Sequence, residues 1–191
     1  KRNLELLGFL NGWQGVLDGR FVNLSRVKLN PLIGGTALRS SRVNLGHAPE
    51  SMTRVRQVLE QHRIEGLIVV GGEDTLSNSL HLPDIPQVLI SKTIDNDVGW
   101  MPKGRKIAFP DILNFFTLGF PTASRKISSF VSLKEGLRTT AYSHERIIVV
   151  ESMGMHAGWL ALSAALGHPD LIILPEFPLK YESLKEKVIK K

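Results

Sequence analysis

The chain has 191 residues, enough for one α/β domain with a sizeable core, and its apolar and charged fractions are those of an ordinary globular protein. It has no cysteine, which excludes a disulfide framework and a thiolate metal site and fits a reducing cytosol; no run reaches the roughly 18 apolar residues of a membrane span, and no signal peptide is read at its start. The net charge of +6 arises from basic residues spread along the chain without an aromatic-rich basic motif, so it points to small anions or solubility and away from nucleic acid.

In chain order, Leu4–Leu10 reads as a short buried strand and Gly12–Gly19 as a glycine-bounded turn or short helix. Met52, Val55, Leu59 and His62 recur at helical spacing and predict an amphipathic helix over Ser51–Arg63, which Gly66 separates from a strand at Leu67–Val70. A helix from about Thr75 to Leu82 and a strand at Gln87–Ile90 follow, then a helical region over Ser124–Thr139. Arg146–Glu151 reads as a strand, Ala157–Leu166 as a helix, Leu171–Leu174 as a strand and Lys180–Lys191 as a charged amphipathic helix. Short apolar strands alternating with helices predict an α/β fold with a parallel sheet covered on both faces. No internal repeat, low-complexity segment or linker interrupts it. Trp100–Phe116 breaks the alternation with Pro102, Gly104, Pro110, basic residues and aromatics, and reads either as a surface loop or as a lid over a phosphate site.

Two of the predicted strands end on loops dense in chemistry. Leu67–Val70 runs into Gly71-Gly72-Glu73-Asp74-Thr75, and Val88-Leu89-Ile90 runs into Ser91-Lys92-Thr93-Ile94-Asp95-Asn96-Asp97. In open α/β sheets ligands bind where the loops at the C-terminal strand ends part. Glycine, acid, lysine and hydroxyl groups at two such ends suggest a phosphate and metal site.

These two blocks, with Met153-Gly154-Met155-His156-Ala157-Gly158-Trp159, occur in the order and approximate spacing of the 6-phosphofructokinase family, which the chain resembles. Gly34-Gly35-Thr36 with Ser40-Ser41-Arg42, His144-Glu145-Arg146 and Pro175-Glu176 extend the resemblance over most of the chain. It implies a phosphofructokinase-like three-layer α/β sandwich with a mainly parallel, Rossmann-like sheet. It also implies that residues 1–191 hold most of the large, donor-binding lobe and the start of the sugar-phosphate lobe. The family's N-terminal glycine-rich loop and C-terminal part are not found within it, so the chain reads as a central fragment of a longer enzyme.

Phosphoryl transfer to a sugar hydroxyl needs a base near the hydroxyl, a metal on the donor oxygens, cations on the migrating group and an anchor for the acceptor. The resemblance assigns the base to Asp95, which could otherwise cap its loop. Asp97 either assists the metal or fixes the loop. Glu73 stands where many relatives have a metal-linked aspartate and is the candidate Mg2+ ligand; the alternative is an acid favoured by the dipole of a helix start. Gly71 and Gly72 would let the backbone approach the donor phosphate, and Arg42 would contact phosphoryl oxygens or lie exposed on the surface.

Asp74 and Lys92 bear on the donor. Relatives that use ATP resemble glycine at both positions, whereas those that use inorganic pyrophosphate look like this chain. A carboxylate at Asp74 would repel an α-phosphate, and the Lys92 ammonium would neutralise charge on the transferred group. The alternative is a mutual ion pair without a donor role.

The implied fructose 6-phosphate site comprises Thr93, Ile94, Asp95, Arg146, Met153, Gly154, Met155 and Glu176. Thr93 would hydrogen-bond the sugar and Glu176 its hydroxyls, or either could be a local cap. Arg146 would reach the sugar phosphate of a neighbouring subunit, or mark a strand edge; Met153 and Gly154 would act through the backbone. Two departures stand out: Met155 replaces the arginine of many relatives and cannot donate charge-assisted hydrogen bonds, and Pro121 replaces an acid in Gly119-Phe120-Pro121-Thr122-Ala123. His156 reads as structural, and Trp159, Leu160 and Leu162 as core. The resemblance thus implies a pyrophosphate-dependent 6-phosphofructokinase with Mg2+, cytoplasmic, homodimeric or homotetrameric, binding neither nucleic acid nor membrane. An ATP-dependent enzyme and a noncatalytic regulatory or phosphosugar-binding subunit are the alternatives.

Overall fold

The computed structural model describes residues 4–28, 30–98, 116–132, 137–154 and 157–189. The expectations for residues 100–115, Met155 and His156 lie outside the described residues. The chain divides into two compact units, Lys1–Ser91 and Lys92–Lys191.

In the first unit, β1 (Leu7–Phe9) pairs antiparallel with β2 (Phe21–Asn23), in register from Leu7↔Asn23 to Phe9↔Phe21. At three residues, β2 is too short to display a period of two, which is why the sequence pattern does not reveal it. Between the strands, α1 (Trp13–Asp18) ends on Gly19, whose φ of 66° is a left-handed cap that a side chain would strain. Helix α2 (Pro49–Gln61) starts on a proline, which needs no intrahelical partner there, and has Glu50 in its first turn. It begins two residues before the predicted start and buries Val55, Val58 and Leu59 on one face.

Strand β3 (Leu67–Gly71) runs parallel to β4 (Gln87–Thr93), in register from Leu67↔Gln87 to Gly71↔Ser91. Between them lies α3 (Glu73–Ser77), continued by a 3-10 turn, Asn78–His81. This β-α-β succession is the predicted one. Trp13, Val16, Leu45, Val55, Val58, Leu59, Val69 and Leu82 form the core, with the Trp13 indole N–H donating to the Thr75 carbonyl at 2.9 Å. The expectation of two covered sheet faces is met on one side only. Val69 is buried, but Ile68 (65% exposed) and Val88 (59%) are open among the described residues.

Asn78 is a buried tie that no motif announced. Its amide donates to the Val43 carbonyl at 2.7 Å and the Asp74 carbonyl at 3.1 Å, while its Oδ1 accepts the Leu45 N–H at 2.8 Å. The side chain thus fastens the segment that follows Arg42 onto the helix that carries Glu73 and Asp74. Asn78→Ala is expected to cost about 2–3 kcal/mol, because it strands buried backbone groups without partners. Thermal denaturation should show a Tm lower by roughly 5–10 °C.

In the second unit, the last residues of β4 pair parallel with β5 (Leu118–Gly119), Lys92 opposite Leu118 and Thr93 opposite Gly119. The predicted helical region resolves into α4 (Phe120–Val131) and α5 (Leu137–Ser143). Ser132 ends α4 by turning extended (φ −65°, ψ 161°), and its hydroxyl donates to the Ser129 carbonyl. Pro121 lies in the first turn of α4, where its missing N–H leaves no gap, so the replacement of an acid by proline is compatible with the helix start. Helix α6 (Trp159–Ser163) and the 3-10 turn after it pack on α4, and a Cβ at Gly167 would stand 2.7 Å from the Ser128 carbonyl oxygen. Phe120, Val131, Ala157 and Leu160 are buried.

Three expectations are corrected. Neither Arg146–Glu151 nor Leu171–Leu174 forms a strand among the described residues. Both are apolar enough for a buried strand, yet among the described residues Ile147 (74% exposed) and Val149 (88%) have neither a ladder partner nor a covering layer, and a strand exists only through its pairing. Trp159 and Leu162, predicted as core, lie on the open side of α6, and only Leu160 points inward. The final helix, α7 (Tyr181–Ile189), forms as expected, with no buried residue.

Candidate active site

The loop that leaves β4 is built by local hydrogen bonds. The Asp95 N–H donates to the Thr93 Oγ1 at 3.1 Å, a short turn that folds the chain back on its own side chain. Asn96 follows with φ of 56°, a left-handed conformation that asparagine tolerates better than most residues. Its Oδ1 accepts the Thr117 N–H at 2.9 Å, and the Thr117 hydroxyl donates to the Thr93 carbonyl at 2.7 Å. Thr117 is itself 1% exposed, so the loop is tied to the residue just before β5 by a buried hydroxyl. Gly119, with φ of 97°, leaves room for Ile94, whose Cγ2 would lie 3.3 Å from a Cβ there.

These ties hold Asp95 in an unusual state. Its Oδ1 is buried and has no hydrogen-bond partner among the described residues. Burial, and secondarily the Asp97 carboxylate, raises its pKa above the ordinary aspartate range. An acceptor left open on a fixed loop can take a proton from a bound alcohol. Thr93 uses its oxygen to accept from Asp95, the cap geometry, and its hydroxyl proton donates to no acceptor among the described residues. Lys92 is exposed on the same strand end.

In the first unit, Gly71 is buried where a Cβ would come 2.5 Å from the Thr75 Cβ, so this glycine serves strand-to-helix packing. Gly72 is extended (φ −82°, ψ −169°), and its carbonyl accepts from Thr75 and Leu76 at 3.1 and 3.0 Å to start α3. Glu73 and Asp74 occupy the first turn, both exposed, where the helix dipole favours acids. Among the described residues no group of three acids or histidines gathers to hold a metal. Arg42 is exposed and forms no ion pair among the described residues.

Within the second unit a cleft of about 330 Å³ is lined by Val149, Glu151, Met153, Gly154, Gly158 and Pro175, among others. Met153 and Gly154, two of the expected sugar contacts, therefore share one concavity. Glu176, the residue after Pro175, points its Oε1 to the Gly158 N–H at 2.7 Å, the local cap that was the alternative to a sugar contact. Arg146 is exposed and unpaired among the described residues. A larger groove of about 400 Å³ between Leu171–Leu174 and α7 holds none of the expected site residues.

A sequence profile described as "Phosphofructokinase" matches residues 1–191. The chain belongs to the phosphofructokinase family. It is 40% identical over 189 residues to "Pyrophosphate--fructose 6-phosphate 1-phosphotransferase" of Amycolatopsis methanolica, covering 96% of this chain and 51% of that protein. It is also 35% identical over 195 residues to "ATP-dependent 6-phosphofructokinase" of Thermotoga neapolitana, covering 99% and 56%. This phosphofructokinase chain therefore spans about half the length of the relatives it matches. Solved phosphofructokinases share its fold: a pyrophosphate-dependent phosphofructokinase from Nitrosospira multiformis superposes with a TM-score of 0.77 at 20% identity, covering 98% of this chain and 48% of that one. One from Marinobacter aquaeolei gives 0.74 at 23%, covering 97% and 48%.

Thr117 and Asn78 are the positions that sequence reasoning missed on this phosphofructokinase scaffold. A lone buried threonine or asparagine carries no spacing signal; only the hydrogen bonds reveal it. No helix among the described residues is long and apolar enough to cross a membrane.

Proposed function

We propose that the chain is the base-bearing and donor-selecting part of a pyrophosphate-dependent 6-phosphofructokinase. The full enzyme transfers phosphoryl from pyrophosphate to the 1-hydroxyl of fructose 6-phosphate, giving fructose 1,6-bisphosphate and phosphate, reversibly and within glycolysis. The observation that carries this reading is Asp95, an open, buried carboxylate oxygen on a loop fixed by Thr93, Asn96 and Thr117.

Asp95 accepts the proton of the 1-hydroxyl as the new O–P bond forms and the bridging P–O bond of pyrophosphate breaks. The leaving phosphate carries away the bridging oxygen's electron pair. Lys92 neutralises charge on the migrating group, and Asp74 keeps an α-phosphate out, which selects pyrophosphate over ATP. Thr93, Ile94, Met153, Gly154 and Met155 receive the sugar, and Gly71, Gly72 and Arg42 the donor phosphates. Glu73, a single exposed carboxylate, suits Mg2+, which takes one or two carboxylates and completes its shell with water and phosphate oxygens. Bound there, the ion supplies charge neutralisation on the donor. The exposed Arg146 supports a homodimer or homotetramer in which it serves a neighbouring subunit's sugar phosphate. The expected compartment is the cytoplasm.

A coupled assay of the protein, offering pyrophosphate and ATP separately with Mg2+, tests this. Turnover with pyrophosphate alone is expected. Turnover with ATP and none with pyrophosphate would overturn the donor choice, and sugar binding without turnover on either donor would make the chain a phosphosugar-binding subunit.

A further inference from the structure

We propose that Thr117 is the positioning residue of the Asp95 loop: its buried hydroxyl and amide fasten the residues on either side of Asp95 and so aim the carboxylate for proton transfer. The inference deepens the proposed function and rests on its reading of Asp95 as the base.

Thr117 meets the loop at two points that bracket Asp95. Its hydroxyl donates to the Thr93 carbonyl at 2.7 Å, two residues before Asp95, and stands 3.3 Å from the Asn96 Oδ1. Its N–H donates to that same Oδ1 at 2.9 Å, one residue after Asp95. The left-handed φ of 56° at Asn96 is a backbone state that persists only where its surroundings fix it, and Thr117 supplies that fix. Thr93 is pinned twice, at its carbonyl by Thr117 and at its Oγ1 by the Asp95 N–H.

Regular structure holds Thr117 in turn. The next two residues, Leu118 and Gly119, pair with Lys92 and Thr93, and the Thr117 carbonyl accepts the Phe120 N–H at 3.2 Å where α4 begins. Its N–H, hydroxyl and carbonyl are thus all engaged, in a residue that is 1% exposed and closed to water. A strand end and a helix start therefore set where the loop stands. The hydrogen bonds of Thr117 go to the neighbours of Asp95, while the Asp95 Oδ1 has no partner among the described residues. The frame is closed and the acceptor is open, as a positioned base requires.

The test separates the tie from the chemistry. Thr117→Val removes the hydroxyl in nearly the same shape and leaves the Thr93 carbonyl without its donor. In the ligand-free variant, the amides of Asp95 and position 117 should exchange with solvent at least about tenfold faster. With fructose 6-phosphate and pyrophosphate, kcat should fall about 10- to 100-fold, the scale of a reacting group misplaced by about 1 Å, while both KM values stay within about threefold. Thr117→Ser keeps the hydroxyl donor and should bring exchange and kcat back to within about threefold of the parent. Asn96→Gly keeps the left-handed backbone but removes the Oδ1, and should reproduce the kcat loss from the other end of the tie. The deciding variant is Thr117→Val in the Asp95→Asn protein: with no base left to aim, it should cost less than about threefold more. A loss as large in that background as in the parent would overturn the proposal. So would near-native kcat in Thr117→Val despite faster exchange, or Thr117→Ser as impaired as Thr117→Val. Unchanged exchange in Thr117→Val would overturn the tie itself. Accelerated exchange in a protein that turns over neither donor would leave the tie standing and overturn the reading of Asp95 as a base instead.

Discussion

Asp95→Asn is expected to lower kcat at least about 100-fold, the contribution of a positioned general base, with much smaller changes in substrate affinity. Steady-state kinetics with pyrophosphate and fructose 6-phosphate would measure it, and near-native kcat would reduce Asp95 to a loop residue. The raised pKa of Asp95, caused first by burial and then by Asp97, adds a pH signature. A general base works only when ionised, so if Asp95 fills that proposed role the acidic limb of the rate profile should lie above the range of an ordinary aspartate. The same shift acts on stability in the opposite sense. A carboxyl whose folded pKa is raised holds its proton more tightly in the folded chain. Folding is thus favoured below the unfolded value, and that advantage is lost as pH climbs through the folded one. Asparagine cannot ionise, so Asp95→Asn should melt at a higher temperature than the parent at pH 7. The difference should vanish near pH 3, where the parent carboxyl is also neutral. A variant that loses activity while gaining stability would separate catalysis from folding at this position.

The donor pair gives the second large effect. Lys92→Gly should depress pyrophosphate turnover by about 10²- to 10³-fold, the loss seen when one preorganised electrostatic donor is removed. Asp74→Gly should raise ATP affinity from undetectable to measurable without making a good ATP enzyme, because on the proposed reading Lys92 would still crowd the nucleotide. The full four-member cycle, with ATP binding and kcat/KM for both donors, decides the matter, since charges acting on one substrate are expected to be non-additive. Unchanged ATP binding in Asp74→Gly, with effects that simply add, would remove the pair from donor selection.

The contrast between what the sequence disclosed and what it hid follows from range. Helix α2 was legible because its buried face repeats within one segment, and β3 and β4 because apolar runs stop at glycine and at a charged loop. The Asp95 loop was legible because its chemistry is contiguous. The residues that fasten that loop and the helix carrying Glu73 and Asp74 were not. Thr117 is 24 positions from the carbonyl it binds, and Asn78 reaches 33 positions to Leu45; such ties depend on where the chain returns. The runs at Arg146–Glu151 and Leu171–Leu174 failed for the complementary reason. Their composition permits a strand, but pairing is a property of two segments, and neither finds its mate among the described residues. Glu176 was legible as important and not as a partner of Gly158, because a contact to a backbone N–H leaves no imprint on the partner's side chain.

The junction at Gly71 divides freedom unequally along five residues. A Cβ at position 71 would lie 2.5 Å from the Thr75 Cβ, so enlarging the first demands shrinking the second. Glu73 and Asp74, one turn away, face solvent and carry no packing duty. A lineage could therefore exchange the acids without disturbing the strand and helix beneath them. Packing constrains position 71, while the acids that the proposed function assigns to the donor are open to substitution, so on that proposal a change of phosphoryl donor would require no change of scaffold.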